Sequence, residues 1–576
     1  MSSQSPQTEY LDGEPSPSSG SGRRWGLVAG GAVAVLAIGG AGAWGVSSLL
    51  GGGPGAAAAA PADTVAFLAL DLDPGAGQKV EAYQTLKKFP ALADRLGGEE
   101  DLRRSLVEAF LTDAPCEDLT WSDDFEPWLG ERLGVGVRPG GESPVPFAVV
   151  QVTDQGGAEA GVRAIAECGD ENAELPGIAF VDDYMVLAED DATAKDVADA
   201  TGESSLADDD GFNTWVDEAG GAGIVTGYVA AGAADLFLDE MENQIGEDAT
   251  GGGYDSGTFA GRVAPGTWEV AAGELDDPSD MMTMTPEQLE DLGELQGSDP
   301  DVEHDFDPGP GFLEPDVDEL RKAFEDFEGG AVVARFDDGA LEVEAAMSAV
   351  GELDPSDASD SGLGDLPAST VLALGFGIGD SAVEDLLGNL EQSMGQESVD
   401  ELLTQAETEI GLTPEELQTM LGDGVAVALD SSIDLETMMS LEGGLDVPAG
   451  IRISGDPDEV GPIVEELVAT AGAEGMVSVV RGEDAVAVGF DEAYLETLVE
   501  DGDLGDKDAF EDALPELDDS AGGLYLDFDE GDWLRPVLES DGDEELKDNV
   551  DPLNSIGATG ALDGDILRGV LRITTD

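Results

Sequence analysis

The sequence predicts an α+β fold in which one N-terminal transmembrane helix precedes two tandem, duplicated repeats, each with helices packed on a mixed or antiparallel sheet. Three observations lead to this prediction. A segment of 26 residues without a charge, from Trp25 to Leu50, is long enough to cross a bilayer. Beyond it, five sequence blocks recur in the same order. Within each set of blocks, apolar strands alternate with amphipathic helices, a mixture typical of α+β proteins.

The flanks of the uncharged segment predict its orientation in the membrane. Trp25 and Trp44 are separated by about 28 Å along a helix, which suits indole rings at the two headgroup regions. Arg23 and Arg24 precede the segment, whereas the next base is Lys79. By the positive-inside rule, the N-terminus is cytoplasmic and the large C-terminal part is extracytoplasmic. The expected location is therefore the cell membrane, with a single span.

A cleaved export signal is the alternative interpretation of the same segment. Arg23 and Arg24 could belong to a twin-arginine signal, and residues 56–62 (AAAAAPA) resemble a signal-peptidase site. The apolar run is longer than a usual signal-peptide core of about 7 to 15 residues, which favours the anchor. Gly26, Gly30 and Ala34 could pair two spans, but the high glycine content explains this spacing equally well, so the oligomeric state stays open.

Composition and repeated blocks divide the chain into consecutive regions. The repeat boundaries follow from the recurring blocks, and the linkers from Gly, Ala, Pro and Ser content. The expected regions are a disordered cytoplasmic tail (1–24), the transmembrane helix (25–50), a linker (51–62), repeat one (63–349) with an acidic insertion at about 239–328, a second linker (350–368) and repeat two (369–576).

The internal duplication rests on matched strands and turns. Residues 63–73 resemble 369–380, and the hairpin pattern at 178–187 resembles that at 479–488. Each copy closes with a further hairpin, which we expect to turn at Asp338-Gly339 in the first copy and at Asp563-Gly564 in the second, because Asp-Gly between apolar alternations is a strong hairpin signal. The sequence therefore predicts an internal duplication.

The charge balance excludes several classes of function. The chain carries 128 acids and 23 bases, a net charge of −105, and all but three acids and two bases follow residue 62. Such a surface cannot neutralise a phosphate backbone or dock on anionic headgroups, so we expect no nucleic-acid partner. Because 41% of the residues are hydrophobic, the acidic part still folds. Diffuse counterions are the expected partners of this surface, as in proteins adapted to salt.

Two cysteines, Cys116 and Cys168, form a candidate disulfide. Both lie in the part expected to be exported, where oxidising conditions permit the bond. Closing this loop would stabilise the fold by about 4 kcal/mol on the chain-entropy model. Two buried free thiols are the alternative, and the absence of a CxxC spacing argues against a redox pair.

Motifs for catalysis or metal binding are largely excluded. His304 is the single histidine, which removes His-based triads, HExxH metal sites and His₃ zinc sites within one chain. No GxxxxGK[ST], GxSxG or SxxK motif occurs. Asp pairs such as Asp527 and Asp529 space oxygens suitably for calcium, but no EF-hand loop continues from them. We therefore assign no catalytic, cofactor-binding or metal-binding residue, and we expect no cofactor.

Several short motifs lie within residues 61–576, at positions 61–67, 70–80, 89–90, 128–130 and 206–212 (PADTVAF, LDLDPGAGQKV, FP, WLG and LADDDGF). With these motifs the chain resembles, over most of residues 61–576, a family of membrane-anchored actinobacterial proteins, the domain of unknown function 3352. The resemblance implies a single-pass envelope protein and supplies no catalytic residues.

The function expected from the sequence is a non-enzymatic interaction or structural role in the cell envelope, with an envelope protein as the partner. A second expectation is a protein that binds a small molecule or lipid, which would need an apolar site. A third is a carboxylate-dependent hydrolase, which would need two buried carboxylates with raised pKa values.

Overall fold

The computed structural model describes the folded part of the chain in segments. These are residues 55–72, 76–90, 119–169, 175–234, 327–349, 360–404, 411–435 and 447–576, with gaps of one or two residues in several of them, and isolated residues at 103–116, 236–238 and 321–324. The predicted tail and transmembrane segment, with Arg23, Arg24, Trp25 and Trp44, lie outside the described residues. So does nearly all of the acidic insertion.

Sixteen strands form the framework. In the first half of the chain, up to residue 349, they are β1 (Ala66–Asp71), β2 (Leu129–Arg138), β3 (Val145–Val152), β4 (Gly177–Val181), β5 (Tyr184–Ala188), β6 (Val225–Ala230), β7 (Gly329–Asp337) and β8 (Ala340–Ser348). In the second half, from residue 360, they are β9 (Thr370–Gly377), β10 (Gly424–Asp430), β11 (Ala449–Ser454), β12 (Ser478–Arg481), β13 (Ala485–Gly489), β14 (Gly522–Asp527), β15 (Leu553–Asp563) and β16 (Ile566–Thr575).

The described helices lie between these strands. They are α1 (Ala76–Leu86), α2 (Gln155–Gly169), α3 (Asp191–Glu203), α4 (Asp210–Glu218), α5 (Ala382–Met394), α6 (Pro414–Leu421), α7 (Pro457–Thr470), α8 (Glu492–Leu498), α9 (Asp508–Ala513), α10 (Arg535–Asp541) and α11 (Glu544–Val550). Side-chain caps fix several of their starts. Asp190 accepts a hydrogen bond from the Thr193 amide at α3, and Thr413 and Glu416 form a capping box at α6.

The predicted fold class is wrong in the way the strands assemble. Instead of two repeats that each have their own sheet, all sixteen strands belong to one sheet, and every pair of neighbours is antiparallel. The last strands of the two halves, β8 and β16, pair with each other from Ile566 and Ser348 to Ile573 and Leu341. This pairing satisfies the backbone groups that would otherwise be exposed at two sheet edges.

Strand order is the same in the two halves. From its outer edge to the junction, the first half runs β4, β5, β3, β2, β1, β6, β7, β8, and the second runs β12, β13, β11, β10, β9, β14, β15, β16. Equivalent helices and strands carry equivalent aromatic pairs. The rings of Phe212 and Tyr228 meet edge to face at 5.2 Å between centroids, and those of Phe510 and Tyr525 at 5.0 Å.

Turn chemistry agrees with the hairpins expected from the sequence. Asp338 and Gly339 both have positive φ angles and connect β7 to β8, which confirms the predicted Asp-Gly turn. In the second half the turn lies one residue further on than predicted, because Asp563 pairs with Ile566 and leaves Gly564 and Asp565 as the loop.

Two segments expected as linkers are partly packed. Ala57 and Ala60 are buried in the core of the first half, and Leu363 and Leu366 are buried in the core of the second. Small or apolar residues in these stretches therefore contribute to the folded part.

The expected transmembrane helix is not supported by the described residues. No helix in the described segments is long and apolar enough to span a membrane. Cys116 is buried, but the side chain of Cys168, on α2, is outside the described part, and no disulfide joins two described side chains. Because the side chain of Cys168 is outside the described part, the Cys116–Cys168 bridge stays a prediction.

Candidate functional site

The two faces of the sheet differ in charge. One face, here called the charged face, carries paired side chains such as Arg335, Glu342 and Arg572 among the buried apolar residues of both halves. The other, here called the apolar face, has a continuous row of apolar side chains, one from each strand, in register across all sixteen. In sheet order these are Val479, Val488, Ile451, Val427, Leu374, Leu524, Ala558, Leu571, Val343, Ala334, Val225, Leu70, Leu133, Val150, Met185 and Phe180.

The apolar face has no charged position on its ten central strands, from β11 to β1. Side chains alternate between faces along each strand, so the register assigns each residue to a face. In a chain in which 26% of residues are charged, this separation is pronounced. The apolar face must therefore be covered by other parts of the protein or contact an apolar partner.

In the first half, helix α1 covers the apolar face. Ala82 and Leu86 of α1 pack with Ile224, Phe336 and Leu341 in one cluster. Phe336 is 1% exposed as a result. At the outer strands of this half, α2 and residues 121–128 cover the same face.

In the second half, the equivalent position is open. Leu562 and Leu567 pair with each other near the turn of the β15–β16 hairpin, as Phe336 and Leu341 do in the β7–β8 hairpin. Leu567 is nevertheless 41% exposed. Helix α5 follows β9 as α1 follows β1, but it packs on α6, where Gln418 accepts a hydrogen bond from the Val383 amide. The large exposed side chains on this part of the apolar face are Met347, Leu372, Leu374, Phe376, Val427, Ile451 and Leu567.

Three glycines form the floor of a groove across this open area. Gly522, Gly560 and Gly569 lie side by side on β14, β15 and β16. A Cβ atom added at Gly560 or Gly569 would meet no atom closer than 3.8 Å, whereas one at Gly522 would lie 2.8 Å from Cδ1 of Phe376. The space above the second and third glycines is therefore open, and the Phe376 ring lies at the Gly522 end.

Apolar side chains border this glycine groove on both sides. Leu524, Ala558 and Leu571 form one wall, and Leu562, Leu567 and Met347 form the other. From β9 to β8 the groove crosses four strand spacings, about 19 Å at about 4.8 Å each. In the first half, Val225, Ala334 and Val343 occupy the positions of the three glycines. The groove is thus a feature of the second half.

None of the residues singled out by sequence lies in this groove. Arg23, Arg24, Trp25 and Trp44 are outside the described residues, and Cys116 is buried in the first half. Among the described residues, no group of three His, Cys, Asp or Glu side chains is placed to hold a metal ion.

The carboxylates do not form the arrangement that a hydrolase would need. Burial opposes ionisation of Asp527, but the Glu530 amide, Lys507 and Tyr525 hold its pKa below the ordinary value. Partial loss of solvation, Asp576 and Asp527 raise the pKa of Asp529 to about 6, yet more than a third of this residue remains exposed to water. Within the described part, no pair of buried carboxylates with raised pKa values occurs.

Comparison of the chain with known protein families, with curated proteins and with solved structures gives no match. The resemblance to domain of unknown function 3352 therefore stays an expectation.

The sequence contains one indication of the glycine groove, which is the presence of glycines within the strands of repeat two. The position of the groove, however, depends on the register of three strands.

Proposed function

We propose that the protein binds the acyl chain of a lipid or another linear amphiphile in the glycine groove. The observation that supports this most directly is the open floor at Gly560 and Gly569, on a face whose ten central strands carry no charged residue. An apolar chain needs no polar partner and is stabilised by about 0.8 kcal/mol for each methylene that it buries.

The dimensions of the groove suit one such chain. Its length of about 19 Å exceeds the depth of one bilayer leaflet, about 15 Å of hydrocarbon. Leu567 and Leu571 flank Gly569 at a separation of about 13 Å along the strand, which leaves room between their side chains for a single methylene chain.

Binding of a neutral apolar fluorophore tests this function. N-phenyl-1-naphthylamine should gain fluorescence on the protein and be displaced by dodecyl maltoside below its micelle concentration. The double variant Gly560→Val, Gly569→Val fills the floor with side chains that strands favour, and neither glycine has a positive φ angle. We expect its affinity for the fluorophore to fall at least tenfold.

A matched control is Gly202→Val on α3, where an added Cβ would meet nothing within 4 Å. This variant should bind as the unsubstituted protein does, and circular dichroism should show all three proteins folded. Failure of the unsubstituted protein to bind the fluorophore, or undiminished binding by the filled variant, would refute the proposal.

The envelope interaction expected from the sequence remains an alternative use of the same surface. A protein partner would cover Phe376, Val427 and Ile451 without entering the groove, so it would tolerate the filled variant. The extracytoplasmic location also remains a prediction, and acyl-chain binding does not depend on it.

A further inference from the structure

An exposed aromatic side chain lies at one end of the glycine groove. Phe376 is 52% exposed although its ring contacts the position above Gly522. Exposing this much of a phenylalanine is unfavourable in a protein without a partner at that site. A ligand in the groove would reach Phe376 with its end group.

A carboxylate lies beside Phe376 on the same face. The Ile378 amide donates to the Asp423 carbonyl and the Asp423 amide donates to the Ser454 carbonyl, both at 2.8 Å, so the strand alternation continues to Asp423. Val425 pairs with Phe376, so Asp423 is the diagonal neighbour of Phe376 on the adjacent strand, with about 7 Å between their Cα atoms. Asp423 is exposed and forms no ion pair with a described base.

Three bases of this half are on the other face: Arg568 and Arg572 bind Glu218 and Glu342, and Lys507 binds Asp527. Arg481, on the edge strand β12, is on the apolar face, but it binds Glu465 and lies four strand spacings, about 19 Å, from Phe376. On the apolar face, the Lys88 ammonium donates to Thr575, six residues along β16 from Gly569 and about 20 Å away. The end of the groove at Phe376 therefore offers an aromatic ring and a carboxylate without a neighbouring positive charge.

We propose that this end of the groove binds a quaternary ammonium headgroup, so that the protein prefers amphiphiles with a cationic head. The inference rests on the proposed acyl-chain binding. A quaternary ammonium ion is attracted to an aromatic ring and donates no hydrogen bonds, so it needs only the ring and a nearby negative charge. An anionic head would be repelled by Asp423 and by the net charge of −105.

Amphiphiles with the same twelve-carbon chain test the preference. Dodecyltrimethylammonium, dodecyl maltoside and dodecyl sulfate are titrated below their micelle concentrations by calorimetry, at 0.15 M and 2 M NaCl. We expect dodecyltrimethylammonium to bind about tenfold more tightly than the maltoside at low salt, and dodecyl sulfate to bind least.

Two variants separate a specific headgroup site from general attraction to an acidic protein. Asp423→Asn and Phe376→Leu should each reduce the preference for the cation to less than threefold, with the maltoside affinity unchanged in Asp423→Asn. Asp217→Asn, an exposed acid on α4, removes the same charge away from the groove and should keep the full preference.

The outcomes distinguish this inference from the proposed function. If the maltoside binds but the cation has no advantage, or if Asp423→Asn keeps that advantage, headgroup recognition is refuted and acyl-chain binding stands. If no amphiphile binds, both are refuted.

Discussion

Glu342 and Arg572 form an ion pair across the β8–β16 ladder, where the two halves of the sheet meet. The two side chains pair directly opposite each other, and the residues are 7% and 8% exposed. Arg335 also binds Glu342, at 2.6 Å between Nη2 and Oε1. Since Glu342 is shared by two guanidinium groups, it neutralises charge from both halves of the chain.

Removing the negative charge of Glu342 should destabilise the protein strongly. Glu342→Gln leaves the buried Arg572 with only the exposed Asp337, at 3.5 Å, as a carboxylate partner, and breaking a buried pair in this way costs about 3 to 5 kcal/mol. Chemical denaturation at fixed ionic strength measures the change in the free energy of unfolding. Asp199→Asn, which breaks the exposed Lys195–Asp199 pair, is the control and should change it by less than about 1 kcal/mol. Equal effects of the two substitutions would contradict this account of the junction.

Asp529 should make stability depend on pH between about 4 and 6. Burial first, and then Asp576 and Asp527, raise its pKa to about 6, from an unfolded value of about 3.9. The folded state therefore binds this proton more tightly, so its contribution to stability is complete below the unfolded pKa and is lost as pH rises through the folded pKa.

The substitution Asp529→Asn should remove the loss of folding stability that occurs as pH rises through the pKa of Asp529. We expect the variant to be more stable than the unsubstituted protein at pH 7 and equally stable near pH 4, as measured by thermal unfolding at several pH values. The amide keeps the size of the side chain, and the hydrogen bond from the Asp529 amide to Asp527 uses only the backbone. A variant with an unchanged pH profile would show that this carboxyl group does not titrate in the expected range.

The equivalent aromatic pairs should contribute similarly to the two halves. Phe212 and Phe510 are both buried and contact Tyr228 and Tyr525 edge to face. Replacing either phenylalanine by alanine should lower the free energy of unfolding by about 3 to 5 kcal/mol, because each leaves a cavity in the core on the charged face. Denaturant unfolding of the two variants measures the effect, and a loss below about 1 kcal/mol in one of them would contradict this equivalence.

Local features of the fold could be predicted from sequence, whereas the joining of the halves could not. The turn at Asp338 and Gly339 follows from residue types that accept positive φ angles. The pairing of β8 with β16 joins residues more than 200 positions apart in the sequence. The alternation of side chains in either strand is equally compatible with a strand at the exposed edge of a sheet.

The glycine groove could not be predicted from the sequence for a related reason. Along β15, residues such as Gly557, Ala558 and Gly560 are small or apolar on both faces, so the pattern does not indicate which face is uncovered. Only the comparison of Leu567 with Leu341, under α1 in the first half, shows that the second half is open.

High salt should stabilise the protein. With 128 acids and 23 bases, the folded surface repels itself, and a Debye length of about 3 Å at 1 M salt removes most repulsion between separate carboxylates. The melting temperature should therefore rise as NaCl increases through the molar range, while the buried Glu342–Arg572 pair is little affected because water and ions are excluded from it. Sucrose, which adds no ionic strength, is the control and should give a smaller rise at equal osmolality. A melting temperature that stays constant or falls in NaCl would show that charge repulsion does not limit the stability of this protein.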